Sequence, residues 1–465
     1  MNKVVEKFRP LFEPRSIAFV GATADSRKWG FDILWKLLDN KYEGKVYAVN
    51  PNEKGSVLGL EVFPSISSLP ESPDLAVIAT PRSTVLNVIR ECVGRKVKAG
   101  LIITAGFAEL AVEEGGRMER EIVDVARKGQ MILVGPNSNG IASPPSKLSL
   151  LMTRRFDMPF QQGSIAISSR SGSIGTSVVM MCLYYRIGFS RFVSNGNEAD
   201  LHIEDYIEYL GEDGETKVIL GYTEGIQDAD RFLDIARKVT LKKPVIMLMS
   251  GVTEAGARAA RYHTASFSQE QESIYQAACQ QAGVIRVSEI DELFKVGASF
   301  LRQPLPRGRR VGILTLGGGW GVVASDACIK AGLDVVTLPE ETCGELDKIL
   351  PWWWSHNNPV DTGASFEWRN CLETLASCPV VDMLLVMWVS GKEMMLIDEA
   401  YPVMENVMER YHKPVVLCSG GFVDQEAIEK LGKRQLIHFS SINQAAKALA
   451  SLADYSQYSS RVSEK

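Results

Sequence analysis

The 465 residues suffice for about three domains at roughly 100–200 residues each. A hydrophobic content of 45% and a charged content of 23% are ordinary for a globular chain with several buried cores. Lys and Arg number 51 against 56 Asp and Glu, a net charge of −5, which argues against nucleic acid as a partner.

Charges from Lys3 onward are unlike a signal peptide. The longest apolar stretches, such as Gly172–Tyr185, are too short and too rich in Gly and Ser to span a bilayer. A cytoplasmic protein with no membrane partner is expected. Eight cysteines form no C-x-x-C pair and lie mostly in apolar runs, so buried reduced thiols are expected, without disulfides or structural zinc.

Strand-like and helix-like runs alternate almost throughout, the pattern of parallel sheets covered by helices on both faces. The first block, from about Pro10 to Pro144, has strand runs Ser16–Val20, Val46–Val49, Leu75–Ala79, Ala99–Thr104 and Met131–Val134. Helical runs Asp32–Leu38, Val85–Cys92 and Met118–Ala126 fall between them. The first strand ends in Gly21-Ala22-Thr23-Ala24, the turn where a doubly wound sheet receives a ligand phosphate. The G-x-G-x-x-G fingerprint is missing, and the second strand ends in Asn50-Pro51 in place of an acid for a ribose hydroxyl. The turn therefore suits the ADP part of CoA better than NAD, unless its glycine serves only the sheet. Ala142–Gly163 has little regular pattern and reads as a linker.

The second block, to about Ala298, has strands Ser164–Ser168, Phe189–Val193, Val218–Tyr222, Val245–Met249 and Val284–Val287. Its first strand runs into Ser169-Arg170-Ser171-Gly172-Ser173 and an apolar helix, Thr176–Tyr185. Ser171, Gly172 and Ser173 offer hydroxyls and a helix N-terminus to an anion, or simply cap the helix. Glu224 follows another strand, in Gly221-Tyr222-Thr223-Glu224-Gly225. The Ala/Gly/Thr-rich segment Ser250–Ser266, read as an exposed loop, carries His263. A neutral imidazole accepts a phosphoryl group when a carboxylate such as Glu224 orients its other nitrogen and amide donors hold the phosphate. The bland alternative is an inert surface histidine. His202, His356, His412 and His438 have no metal-ligand spacing and are read as structural, and no metal site is expected.

The third block follows the Pro-rich hinge Gln303–Gly308. Its strands are Val311–Leu316, Asp334–Thr337, Met383–Trp388 and Pro414–Cys418. Gly317-Gly318-Gly319-Trp320 opens its first helix and suits packing or subunit docking. Trp352, Trp353 and Trp354 cannot all enter one core. At least one meets a partner or an aromatic acyl group, unless the three form a lid over this block's own core. The polar residues from Asp454 are expected to fray.

Several segments together resemble one family. They are Phe12–Ala22, Tyr47–Pro51, Ala79-Thr80-Pro81, Ile103–Phe107, Gly135-Pro136-Asn137, Ser250–Thr264, Gln281–Val287 and Asn358–Asp361. The chain is similar along nearly its whole length to the alpha subunit of NDP-forming acyl-CoA synthetases, a family that includes the ADP-forming acetyl-CoA synthetases and is related to succinyl-CoA synthetase. The resemblance implies an α/β chain of a Rossmann-like CoA-binding domain (1–145) and two flavodoxin-like doubly wound domains (146–303 and 304–465). It implies that CoA lies against Gly21, Ala22, Thr23, Asn50, Pro51, Thr80, Pro81, Thr104 and Ala105, with Asn137 near its thiol end. It further implies that His263 carries phosphate and that Glu224 is its carboxylate partner.

The implied reaction is acyl-CoA + ADP + phosphate ⇌ carboxylic acid + CoA + ATP. The chain shows no nucleotide-grasping segment, so an ATP-grasp beta subunit holding Mg²⁺ and ADP or ATP is expected, in an α₂β₂-type assembly. The chain departs from the family pattern at Ser138, Ala265 and Trp320. A non-catalytic CoA- or acyl-CoA-binding scaffold of the same fold is the alternative.

Overall fold

The structure, a computed structural model, describes residues 2–153, 160–251, 253–261, 272–363, 367–389, 395–420 and 425–463. The chain forms two compact units, residues 1–183 with 188–290 and residues 184–187 with 291–465.

The first unit contains two sheets. Strands β1 (Ser16–Val20), β2 (Lys45–Val49), β3 (Ser56–Val57), β4 (Leu60–Phe63), β5 (Leu75–Ile78), β6 (Ala99–Ile102) and β7 (Ile132–Val134) lie in the order β3-β4-β2-β1-β5-β6-β7. Only the small β3–β4 ribbon is antiparallel. Helices α1 (Lys3–Phe12), α2 (Trp29–Asp39), α3 (Arg82–Gly94) and α4 (Glu113–Lys128) accompany this sheet. The central strands β1, β5 and β6 are buried along their whole length, so their unbroken apolar runs suit a sheet covered on both faces. The chain moves outward from β1 through β2, then restarts at β5 on β1's other side. This reversal opens a crevice at the C-terminal ends of β1 and β5.

The second sheet comprises β8 (Gly140–Ser143), β9 (Leu148–Leu151), β10 (Gln162–Ser169), β11 (Phe189–Ser194), β12 (Val218–Thr223), β13 (Val245–Met249) and β14 (Ile285–Val287). Its order is β14-β13-β12-β10-β11-β8-β9. The parallel part has the flavodoxin-like order 2-1-3-4-5, with its reversal at β10 and β12. Helices α5 (Gly172–Tyr184), α6 (Ile203–Glu212), α7 (Ala229–Thr240), α8 (Glu254–Arg261) and α9 (Glu272–Gln281) follow its strands.

Two expectations are corrected here. The stretch read as a linker instead supplies β8 and β9, which join antiparallel to β11 and to each other. Ile141, Leu148 and Leu150 are fully buried, and that burial outweighs the local Ser and Pro content. The segment read as one exposed loop contains α8, because its alanines favour helix.

The segment Lys3–Phe12, not read as structured, forms α1 and joins the two sheets. Phe8 and Phe12 stack on Tyr209 of α6 with ring centroids 4.7 and 5.1 Å apart. Arg191 of β11, fully buried, donates to Glu13 (2.8 Å), Asp213 (3.1 Å), Ser143 (2.9 Å) and Tyr209 (3.0 Å). Its guanidinium is thereby paired and hydrogen-bonded, the condition for tolerating a buried charge.

The second unit opens with α10 (Ile290–Ser299). Its sheet is built from β15 (Arg310–Thr315), β16 (Asp334–Val335), β17 (Val360–Asp361), β18 (Met383–Val389), β19 (Val415–Gly420) and β20 (His438–Phe439). The order is β16-β15-β18-β19-β20, with β17 also paired to β15, and every pairing is parallel. Helices α11 (Gly318–Lys330), α12 (Glu340–Asp347), α13 (Trp368–Ser377), α14 (Met395–Tyr411), α15 (Gln425–Lys433) and α16 (Ile442–Ser463) complete it. The C-terminal residues expected to fray are helical instead. Tyr455 is buried edge-on against Phe300, Ser456 donates to the carbonyl of Pro306 (2.7 Å), and Asp454 pairs with Arg309.

Candidate functional site

The first turn is set by close backbone packing. Gly21 has φ +100°, and a Cβ there would meet the carbonyl oxygen of Ala79 at 2.3 Å, so no other residue fits. Its amide donates to Val49 (2.8 Å), and the Asn50 side chain donates to the carbonyl of Ala22 (2.8 Å). Thr23 is buried and donates to Glu53 (2.8 Å). Ala22, Thr23 and Asn50 thus hold the turn in shape, while Pro51, Pro81 and Ala105 are exposed along the same edge.

Thr104 donates to the carbonyl of Thr80 (2.7 Å), and the Asn137 amide donates to the carbonyl of Thr104 (2.9 Å). The expected CoA residues therefore follow one another along the C-terminal ends of β2, β1, β5, β6 and β7, and Asn137 is exposed with φ 61°. Asparagine tolerates that conformation better than most residues.

Ser138, where the chain departs from the family pattern, is buried. It donates to the carbonyl of Ser194 (2.5 Å) and accepts from the Gly140 amide (3.0 Å), so it braces β11 against the chain leaving β7.

In the second sheet, Ser169 pairs with Tyr222 in register, and the Arg170 amide donates to the Tyr222 carbonyl (3.1 Å). Ser169 caps its own turn by donating to the carbonyl of Ser171 (2.7 Å), and the hydroxyls of Ser171 and Ser173 share a 3.2 Å hydrogen bond. Helix α5 starts at Gly172, so its unsatisfied amides lie beside both hydroxyls.

Glu224, one residue beyond β12, accepts from the Tyr222 phenol (3.0 Å). Burial pushes that phenol up to about 12. Ser250, one residue beyond neighbouring β13, also hydrogen-bonds it and donates its amide to Thr223 (3.1 Å). Ser171–Ser173, Glu224 and Ser250 thus stand at the ends of three adjacent parallel strands. His263 and Ala265 lie outside the described residues; α8 spans Glu254–Arg261.

Two further features escaped the sequence reading. A Cβ on Gly172 would meet the side chain of Asn139 at 2.4 Å, so the serine loop abuts the segment directly after Asn137. Beyond β11, residues 195–199 dock on the turn after β7: Asn197 donates to the carbonyl of Pro136 (2.9 Å) and Ala199 to that of Gly135 (3.3 Å). The Asn197 side chain bridges two carboxylates, Glu109 (2.6 Å) and Glu119 (2.8 Å), and sits 3.4 Å from the Asn137 amide nitrogen. Burial raises Glu119 above the usual carboxylate range. The Asn195-Gly196 pair at a strand end was the available signal, since such dipeptides mark specific turns.

In the second unit, Trp354 is buried and its indole donates to Asp347 (2.7 Å). Trp352 is 87% exposed and Trp353 56%. Trp320 lies over Gly420, where a Cβ would strike its ring at 2.0 Å, a packing role for the Gly-rich turn. Among the described residues, no cluster of His, Cys, Asp and Glu has the arrangement of a metal site, and no helix is long and apolar enough to cross a membrane. Seven of the eight cysteines are buried.

Comparison with known proteins places these features in context. Residues 15–144 match a CoA binding domain, and residues 162–300 match the succinyl-CoA ligase like flavodoxin domain. The chain is 39% identical to the ADP-forming acetate–CoA ligase II subunit alpha of Pyrococcus furiosus, over 95% of this chain and 96% of that one. It is 33% identical to the ADP-forming acetate–CoA ligase II of Archaeoglobus fulgidus, over 90% of this chain but 62% of that longer one. A solved structure of acetyl-coenzyme A synthetase 1 from Candidatus Korarchaeum cryptofilum, in complex with phosphate and ADP, superposes with a TM-score of 0.87 at 32% identity, covering 98% of each chain.

Proposed function

The chain belongs to the ADP-forming acetate–CoA ligase family, and from that premise we propose that it is the CoA-binding, phosphate-relaying subunit of an ADP-forming acyl-CoA synthetase. In this reading residues 1–145 bind CoA, 146–303 carry the phosphate and 304–465 form the remaining part. CoA lies along the edge from Gly21 and Pro51 through Thr80, Pro81, Thr104 and Ala105 to Asn137.

Phosphate sits on Ser171, Gly172 and Ser173. One of its oxygens attacks the thioester carbonyl, the C–S bond breaks, and CoA leaves as the thiolate. The helix amides hold the phosphate in place for this attack. A nitrogen of His263 then attacks phosphorus, the P–O bond to the acyl group breaks, and the carboxylate leaves. Glu224 holds the other ring nitrogen in the required tautomer. ADP receives the phosphoryl group from His263 on an ATP-grasp beta subunit that also supplies Mg²⁺, in an α₂β₂-type complex in the cytoplasm.

The observation that carries this reading is the contact of Gly172 with Asn139. It sets the serine loop beside the end of the CoA edge, as a reaction between phosphate and a thioester requires. The Pyrococcus furiosus relative, matched over 96% of its length, is itself named a subunit alpha, which supports a partner. The test is incubation with a nucleotide-grasping subunit and Mg-ATP, followed by mass spectrometry. An acid-labile phosphate on His263 that disappears on adding CoA and a carboxylic acid is expected. A protein that binds CoA but never acquires phosphate would instead be a scaffold. A panel of carboxylic acids then identifies the acyl group.

A further inference from the structure

Resting on the reading of Ser171–Ser173 as a phosphate loop, we infer that Arg170 and Glu198 form a buried positioning pair that sets the loop's affinity for phosphate. Arg170 directly precedes Ser171, yet its side chain turns inward and is 6% exposed. Its Nε lies 4.0 Å from Oε2 of Glu198, whose side chain is 1% exposed. The other carboxylate oxygen accepts from Asn195 (2.7 Å), and Asn195 in turn accepts from Ser168 (3.0 Å). Oε2 itself accepts no hydrogen bond from the described residues. A carboxylate buried with one oxygen unsatisfied is costly unless a charge compensates it, and Arg170 is the cation that acts on it.

The backbone also singles out this residue. Glu198 has φ 56°, a left-handed conformation that a non-glycine residue adopts only at a cost. It is held there because Asn197 and Ala199, on either side, bond the turn after β7. The carboxylate is thereby fixed at the junction between the CoA edge and the serine loop.

The charges around the pair fix the sign of its effect. Glu204, Asp205 and Tyr206 face Glu198 from α6, and Glu119 of α4 faces Arg170 together with Tyr222 of β12. Burial above all holds Glu198 up to about 7, with Arg170 opposing that rise. Below that pH the carboxyl is neutral and no longer offsets the Arg170 charge felt by the loop. Above it the pair is closer to neutral overall, and an anion on the loop is held less tightly.

Calorimetric titration of inorganic phosphate into the full chain tests the pair directly. E198Q is expected to match the wild type near pH 6 and to bind about fivefold tighter near pH 8, and R170Q to bind about tenfold weaker near pH 6. At each pH the variants meet the same mixture of phosphate ions, so the ratios compare them at matched ionisation. A wild-type to E198Q ratio that is constant with pH overturns the inference, as does a wild type that binds no phosphate. If E198Q fails to fold, the advantage of the wild type over R170Q must shrink as pH rises; a constant advantage refutes the pair's role. Turnover is measured separately. Phosphate binding with this pH pattern in a complex that makes no ATP would leave the pair standing and remove the synthetase reading.

Discussion

Gly172 lies against the side chain of Asn139, so the serine loop closes on the segment that links β7 of the other sheet to β8. A single methyl group separates that contact from a clash. G172A is expected to displace Asn139, cost about 1–3 kcal/mol of stability, and lower turnover at least about tenfold. The double variant G172A/N139G should recover most of both losses. Thermal unfolding and steady-state kinetics of the reconstituted complex measure the two effects.

Glu224 accepts the Tyr222 hydroxyl. In E224Q the amide oxygen can still accept that bond, so the unfolding midpoint should barely move, within about 0.5 kcal/mol. The negative charge is lost, and phosphorylation of His263 by Mg-ATP is expected to slow about a hundredfold. Rapid-quench labelling reads this directly; an unchanged rate would exclude Glu224 as the partner of the imidazole.

His438 and Ser419 are both buried and share a 2.6 Å hydrogen bond in the second unit. Burial, with the charge of Lys295, lowers His438 from 6.5 to about 4. Between those values the unfolded chain takes up a proton that the folded chain refuses. Stability from this group is therefore complete above pH 6.5 and is lost as pH falls towards 4. The second unit of H438Q should show a flatter loss of stability over this window than the wild type, by up to about 1.4 kcal/mol per pH unit. Urea unfolding at a series of pH values, followed by a probe in that unit, gives the slope.

The three consecutive tryptophans should separate into two behaviours. W354A removes a buried ring and its hydrogen bond to Asp347, and is expected to cost about 3–5 kcal/mol. W352A removes a ring that is 87% exposed and should leave stability within about 0.5 kcal/mol. If Trp352 belongs to an interface with the beta subunit, W352A will weaken co-purification with that subunit without changing CoA affinity. Analytical ultracentrifugation of the mixed subunits checks this.

Periodicity and turn residues were enough to read the three sheets, the first turn at Gly21 and the serine loop, because each depends on neighbours in the chain. Apolar runs mark strands buried on both faces, and a glycine before a helix marks a backbone that must approach another closely. The edge strands β8 and β9, the docking of α1 and the order in the C-terminal helix were not legible locally. Their stability comes from surfaces contributed by residues far away in sequence, such as Tyr209 beneath Phe8 and Phe300 beneath Tyr455. The contact of Gly172 with Asn139 and the pairing of Arg170 with Glu198 belong to the same class. Each joins side chains whose meeting depends on how two sheets share one core, and only burial in that core gives their charges and clashes their force.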